Sequence, residues 1–104
     1  MIAEKIGAVS VSDHSNEFAF EGRLITIRCA QKGNLQVGVT YTMLNRIDSV
    51  VAAFEIGKNL YELYEMTPFL YKMHMRDSKN QGTVGLVRKQ VFLQKGKALH
   101  TLRL

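Results

Sequence analysis

Two neighbouring runs of apolar–polar alternation constrain this chain more than any other feature. In residues 24–31, Ile25, Ile27 and Cys29 share one face and Thr26 and Arg28 the other. In residues 35–43, Leu35, Val37, Val39, Tyr41 and Met43 alternate with Gln36, Gly38, Thr40 and Thr42. A period of two is that of a strand, because successive side chains leave opposite sides of an extended backbone. Lys32-Gly33-Asn34 separates the runs with residues that tolerate positive φ. The pattern predicts an antiparallel hairpin with one apolar and one wet face.

The flanking sequence extends this into a sheet. Residues 5–12 and 17–21 read as strands around the turn formers Asp13-His14-Ser15-Asn16, a hairpin over 5–21. Gly22 marks a bulge or bend. Asn45 is a candidate helix cap, and Asp48 would fall near the positive end of the helix. Ile47, Val50, Val51, Phe54, Tyr61 and Tyr64 then follow a 3–4–3 spacing if Gly57 fills a slot on the same face, which predicts a helix over about residues 46–66. The β-branched content of residues 50–56 favours a strand there instead, and the helix is preferred. Thr67-Pro68 punctuates the chain.

Residues 69–76 alternate again, with Phe69, Tyr71, Met73 and Met75 opposite Leu70, Lys72, His74 and Arg76. A strand fits eight alternating residues better than the competing reading, a short helix with Pro68 in its first position. Residues 77–82 form a polar loop. Residues 83–94 read as a strand, long for one, that changes face near Arg88, where a bulge or a break fits, and Gln94-Lys95-Gly96-Lys97 turns into a closing strand over 98–104. The predicted fold class is α+β: an antiparallel sheet of five to seven strands with one main helix, about 46–66, packed on one face.

At 104 residues the chain is expected to form one domain, long enough to bury roughly two-thirds of its unfolded surface. With a single cysteine it has no internal disulfide, which fits a reducing cytoplasmic setting. No signal peptide is visible at the N-terminus, and no apolar run approaches the roughly 18–20 residues of a membrane helix.

Charge is the strongest functional lead. From residue 72 onward eight Lys and Arg accompany one acid, Asp77, whereas residues 1–71 hold six bases and eight acids. Such asymmetry points to an acidic partner, and DNA or RNA is the commonest. On the predicted strand, Lys72, His74 and Arg76 project at i, i+2 and i+4, roughly 6–7 Å apart, an interval suited to successive phosphates. Arg88, Lys89, Lys95 and Lys97 extend the stripe, and Tyr71 or Phe92 is a candidate for stacking on unpaired bases. The bland reading is a solvated face that keeps an edge strand from aggregating.

Other chemistry has less behind it. His14, His74, His100 and Cys29 have no metal-ligand spacing, and the glycines form no phosphate-binding loop. Cys29, in phase with Ile25 and Ile27, reads as a small buried hydrophobe. Glu62 and Glu65 read as a solvated helix face. His74, His100, Arg76, Arg88 and Lys89 supply the residue types of a small ribonuclease, but nothing sets their spacing. No cofactor is implied. The expectation is a non-enzymatic nucleic-acid-binding protein, and a homodimer would double its basic footprint. The alternative is a protein-interaction or inhibitory accessory module of the mobile-element type, with a basic face for an acidic protein and a contact strip at Met73 and Met75.

Overall fold

The computed structural model describes residues 2–10, 17–78 and 82–104. In chain order the first elements are α1 (Ile2–Ile6), β1 (Val9–Ser10), β2 (Glu17–Phe20), β3 (Arg23–Ala30), β4 (Gln36–Thr40) and α2 (Tyr41–Leu44). There follow β5 (Ser49–Gly57), β6 (Leu60–Met66), α3 (Pro68–His74), β7 (Arg76–Asp77), β8 (Val84–Arg88), α4 (Lys89–Lys95) and β9 (Lys97–Arg103). The fold is α+β, built from two sheets. The larger has the order β1-β2-β3-β5-β6-β9, and the smaller β4-β8-β7.

The centre of the larger sheet is β5, where the expected helix over 46–66 does not form. Val50, Val51, Ala52, Ala53 and Phe54 are all buried. Val50, Ala52 and Phe54 enter one core cluster and Val51 and Ala53 another, as alternate residues of a strand covered on both sides must. Such a strand is apolar throughout and loses its period of two, so it resembles a helix in sequence. Tyr61 and Tyr64, which share a face of the expected helix, belong instead to β6 and point to opposite sides. Asn59 takes the left-handed conformation (φ 57°) in the short turn that pairs β5 with β6.

The sheet is mixed, and the hairpin expected from residues 24–31 and 35–43 is absent. β3 pairs antiparallel with β2 through a two-residue turn, Glu21-Gly22, in which both residues have positive φ. Its other neighbour is β5, to which it runs parallel. Asp48 starts that pairing: its amide donates to Leu24 O at 2.7 Å while its carboxylate accepts from Leu24 N at 2.9 Å. β4 leaves the larger sheet and pairs with β8. The hairpin expected over 5–21 survives as the short β1–β2 pairing, with Lys5 and Ile6 in a helix and the turn at 13–16 outside the described residues.

Residues 69–76 also depart from expectation. Pro68 opens α3, and the Thr67 side chain accepts from Leu70 N at 3.3 Å, so the local cap outweighs the alternation. The strand expected over 83–94 ends at Arg88: Lys89–Lys95 form the helix α4, whose Phe92 is fully buried, so the face change marks the junction of strand and helix.

The smaller sheet and helices α2, α3 and α4 contribute to the core over one face of the larger sheet, while α1 packs on the other. At the centre of the first core, Phe92 lies edge-on to both Phe54 (5.7 Å between centroids) and Tyr71 (6.2 Å). Phe92 is fully buried, so Phe92→Ala should cost about 3–5 kcal/mol in chemical denaturation. Gly96 closes α4 against β6. A Cβ there would come within 2.7 Å of Phe92 O and 3.1 Å of Glu65 O, and backbone cannot move aside. Gly96→Ala should therefore destabilise the fold by about 1–3 kcal/mol.

Candidate nucleic-acid interface

Apart from Lys89, the basic residues expected on one stripe fall on three surfaces. In the smaller sheet, Gln36, Gly38 and Thr40 alternate with the buried Val37 and Val39, and Val84, Leu86 and Arg88 alternate with the buried Gly85 and Val87. The register Gln36↔Arg88 and Arg76↔Leu86 adds Arg76 to the same outer face. Arg76 donates to Gln36 Oε1 at 2.5 Å across β8. Arg88 forms no ion pair with a described residue. Among the described residues no acid belongs to this face, since Asp77 has the opposite phase and accepts from the Tyr41 hydroxyl.

Lys95 and Lys97 lie instead at the corner between α4 and β9. With Arg23 they border a cavity of about 380 Å³ that also holds Asp48 and Glu65. This surface is not purely cationic: Glu65 is buried and paired with Arg23. Lys72 and His74 occupy the last turn of α3, where positive charge suits the negative end of the helix. Lys72 also donates to Asn45 Oδ1 at 2.7 Å. The i, i+2, i+4 stripe of Lys72, His74 and Arg76 is thus broken, because two of the three are helical.

Lys89 has turned inward. Its amine lies 3.5 Å from Glu62 Oε1 and 5.6 Å from the centre of the Phe54 ring. Glu62, on the strand β6, therefore has a cationic partner from α4, and Glu65 lies on the opposite side of that strand. Tyr71 and Phe92 are fully buried and cannot stack on a base. The exposed aromatic is Phe69, at 72% exposure, one turn before Met73 at 62% on the same helix. Met75 packs on the core. Cys29, expected in the core, is exposed, and desolvation by its neighbours raises its thiol pKa against the opposing effect of Arg28.

The sequence missed two contributors. Gln36 holds Arg76, and Arg28 stands on the side of β3 that faces the smaller sheet. Thr26, on that same side, is 1% exposed, so the supposedly wet face of β3 is largely interior. Alternation distinguishes the two faces of a strand; it does not say which one meets solvent.

His74 is on α3 and His100 on β9, and no hydrogen bond or ion pair among the described residues joins them. His14 lies outside the described residues. Among the described residues no three His, Cys, Asp or Glu side chains cluster as a metal site. No helix in the described residues is long and apolar enough to cross a membrane. Protein-family models, curated proteins and solved structures contain no match to this chain.

The smaller sheet is tied down from beneath. The Tyr71 hydroxyl reaches the carbonyl oxygens of Gly85 at 2.8 Å and Val37 at 3.2 Å, on two different strands. Burial holds the phenol well above the usual tyrosine pKa, although Arg28 and the Val39 backbone pull it down. The unfolded chain ionises this phenol at about pH 10 and the folded chain only at higher pH. Its contribution to stability is therefore complete below about pH 10 and is lost as pH rises from there. In an alkaline titration, the phenolate absorbance of Tyr71, taken as the difference from Tyr71→Phe, should appear only as the chain unfolds.

Proposed function

We propose that this protein is a non-enzymatic binding module that holds DNA or RNA by its phosphates, on the outer face of the smaller sheet. The observation that supports this reading is the pairing of Arg76 and Arg88 on a face without an acid among the described residues. The register makes them diagonal neighbours on adjacent strands, roughly 7–8 Å apart at their backbones. Two long guanidinium side chains at that spacing can touch one nucleic-acid backbone. Gln36 orients the first and leaves its charge uncompensated. Lys95 and Lys97 offer a second basic surface at a corner of the molecule, shared with Asp48 and Glu65, Lys72 and His74 a third, and Lys89 a supporting role within the fold. Among the described residues the outer face carries no aromatic side chain, which favours binding to backbone over reading of bases.

The test is binding to mixed-sequence oligonucleotides by fluorescence anisotropy across a salt series. Removing one cation that neutralises a phosphate should flatten the logarithmic salt slope by about 0.9 for duplex DNA and about 0.7 for single strands. Arg76→Gln with Arg88→Gln should thus flatten it by about 1.4–1.8 and weaken binding for every sequence alike. Absence of binding at about 50 mM salt to single- and double-stranded DNA and RNA would end this reading.

One observation favours a second reading, a protein-interaction module. Phe69 and Met73 are exposed at i, i+4 on α3 and are flanked by Lys72 and His74. An apolar pair with basic neighbours suits a protein surface that is apolar and acidic. Phe69→Ser with Met73→Ser should leave stability within about 0.5 kcal/mol, because both side chains already face solvent. The same variant should abolish any dimer or complex seen by sizing with light scattering. A wild-type chain that is monomeric and captures no partner would count against it.

A further inference from the structure

The side of β3 that faces the smaller sheet carries a charge with no ion-pair partner among the described residues. Arg28 is half-buried, and it makes no ion pair or hydrogen bond with a described residue. Glu17, an acid on the same side of the neighbouring strand, is committed to Arg46. A half-buried guanidinium is stabilised by an anion beside it, and among the described residues Arg28 has none.

Beside it lies a cavity of about 350 Å³, lined by Thr26, Arg28, Gly38, Thr40, Met43 and Val84. The Thr40 side chain accepts from Met43 N at 3.2 Å, so its hydroxyl oxygen is already oriented and its proton is directed away from that amide. Arg28 brings a planar array of donors, and among the described residues no acidic side chain lines the cavity. Its charge also opposes the rise that burial causes in the pKa values of Tyr71 and Cys29.

We propose that this cavity is a binding site for a phosphate group, with Arg28 as the charge partner and Thr40 as a hydroxyl donor. Three oxygens on a tetrahedral anion match a forked guanidinium and one hydroxyl better than a flat carboxylate does. The site does not depend on Arg76 and Arg88. About 13 Å of strand separates Gln36, beside Arg88, from Thr40 at the cavity. The phosphate therefore comes either from a small phosphorylated molecule or from a nucleic-acid strand laid along the smaller sheet.

Pyrophosphate titrated into the full chain is the probe, read by calorimetry and by amide chemical shifts. Binding should perturb the amides of Gly38, Thr40 and Val84 and should raise the melting temperature. Arg28→Met should weaken binding by roughly tenfold or more and should melt no lower than wild type without ligand. Arg28→Lys, which keeps the charge and gives up the fork, should bind with intermediate affinity and guards against a folding defect in the first variant. Arg76→Gln with Arg88→Gln should leave pyrophosphate binding unchanged. If Arg28→Met also weakens oligonucleotide binding, a strand supplies the phosphate; if oligonucleotide binding is unaffected, a small molecule does. Wild-type chain that ignores millimolar pyrophosphate, shifts confined to other amides, or equal binding by Arg28→Met would each overturn the proposal.

Discussion

The packing of Phe92 against Phe54 and Tyr71 governs how the rest of the molecule is arranged. Each ring comes from a different element: Phe54 from the central strand of the larger sheet, Tyr71 from α3 and Phe92 from α4. Tilted aromatic pairs combine large apolar burial with a preferred geometry, so they fix orientation as well as distance. Tyr71 carries the constraint further by bonding to carbonyls of both β4 and β8. The smaller sheet is thereby fastened through one residue that spans from helix to strand. Its outer face becomes a surface, and its inner face becomes core.

That arrangement sorts the basic residues. Because α3 and α4 must turn Tyr71 and Phe92 inward, the residues between and around them are distributed over helix faces and do not lie on one flat stripe. Lys89, three residues before Phe92, ends beside Phe54 and Glu62 and contributes to packing. Arg76 and Arg88, which are in strands, reach a common face. Most acids near the core have committed partners: Glu65 with Arg23, Glu17 with Arg46 and Glu62 with Lys89. The guanidinia of Arg28, Arg76 and Arg88 are left with no carboxylate among the described residues, and all three belong to strands or strand ends bordering the smaller sheet.

Several features are legible in the sequence for reasons that remain valid in the fold. The alternation of residues 24–31 and of residues 36–40 is strand alternation. The turn-forming tendency of Lys32-Gly33-Asn34 is realised, with Gly33 at φ 93° and Asn34 N bonded to Gln31 O. The break at Arg88 and the closing strand after Gly96 are visible as well, although the residues between them, which read as strand, form the helix α4. Three things are not. Runs adjacent in sequence predict a hairpin, yet β3 and β4 enter different sheets. A strand buried on both sides has no polar face to show, so residues 50–56 imitate a helix. Residues 69–76 alternate as a strand would, although Thr67 and Pro68 already supply the cap and the first helical residue that prevail.

By itself the sequence determined the strands at residues 24–30 and 36–40 and the closing strand, several turn positions, the α+β character and the excess of positive charge after residue 71. Those properties are local: dihedral preference, side-chain periodicity and charge are carried by each residue and its near neighbours. The tertiary structure alone decided which strands pair, which face of each strand meets water, and which bases keep their charge unpaired. Such outcomes depend on interactions between residues far apart in the chain, such as Phe54 with Phe92 or Arg76 with Gln36. Arg28 shows the difference most clearly. Its sequence position marks it as one more polar residue on an alternating strand, and only the smaller sheet packed beside it turns that position into the wall of a cavity.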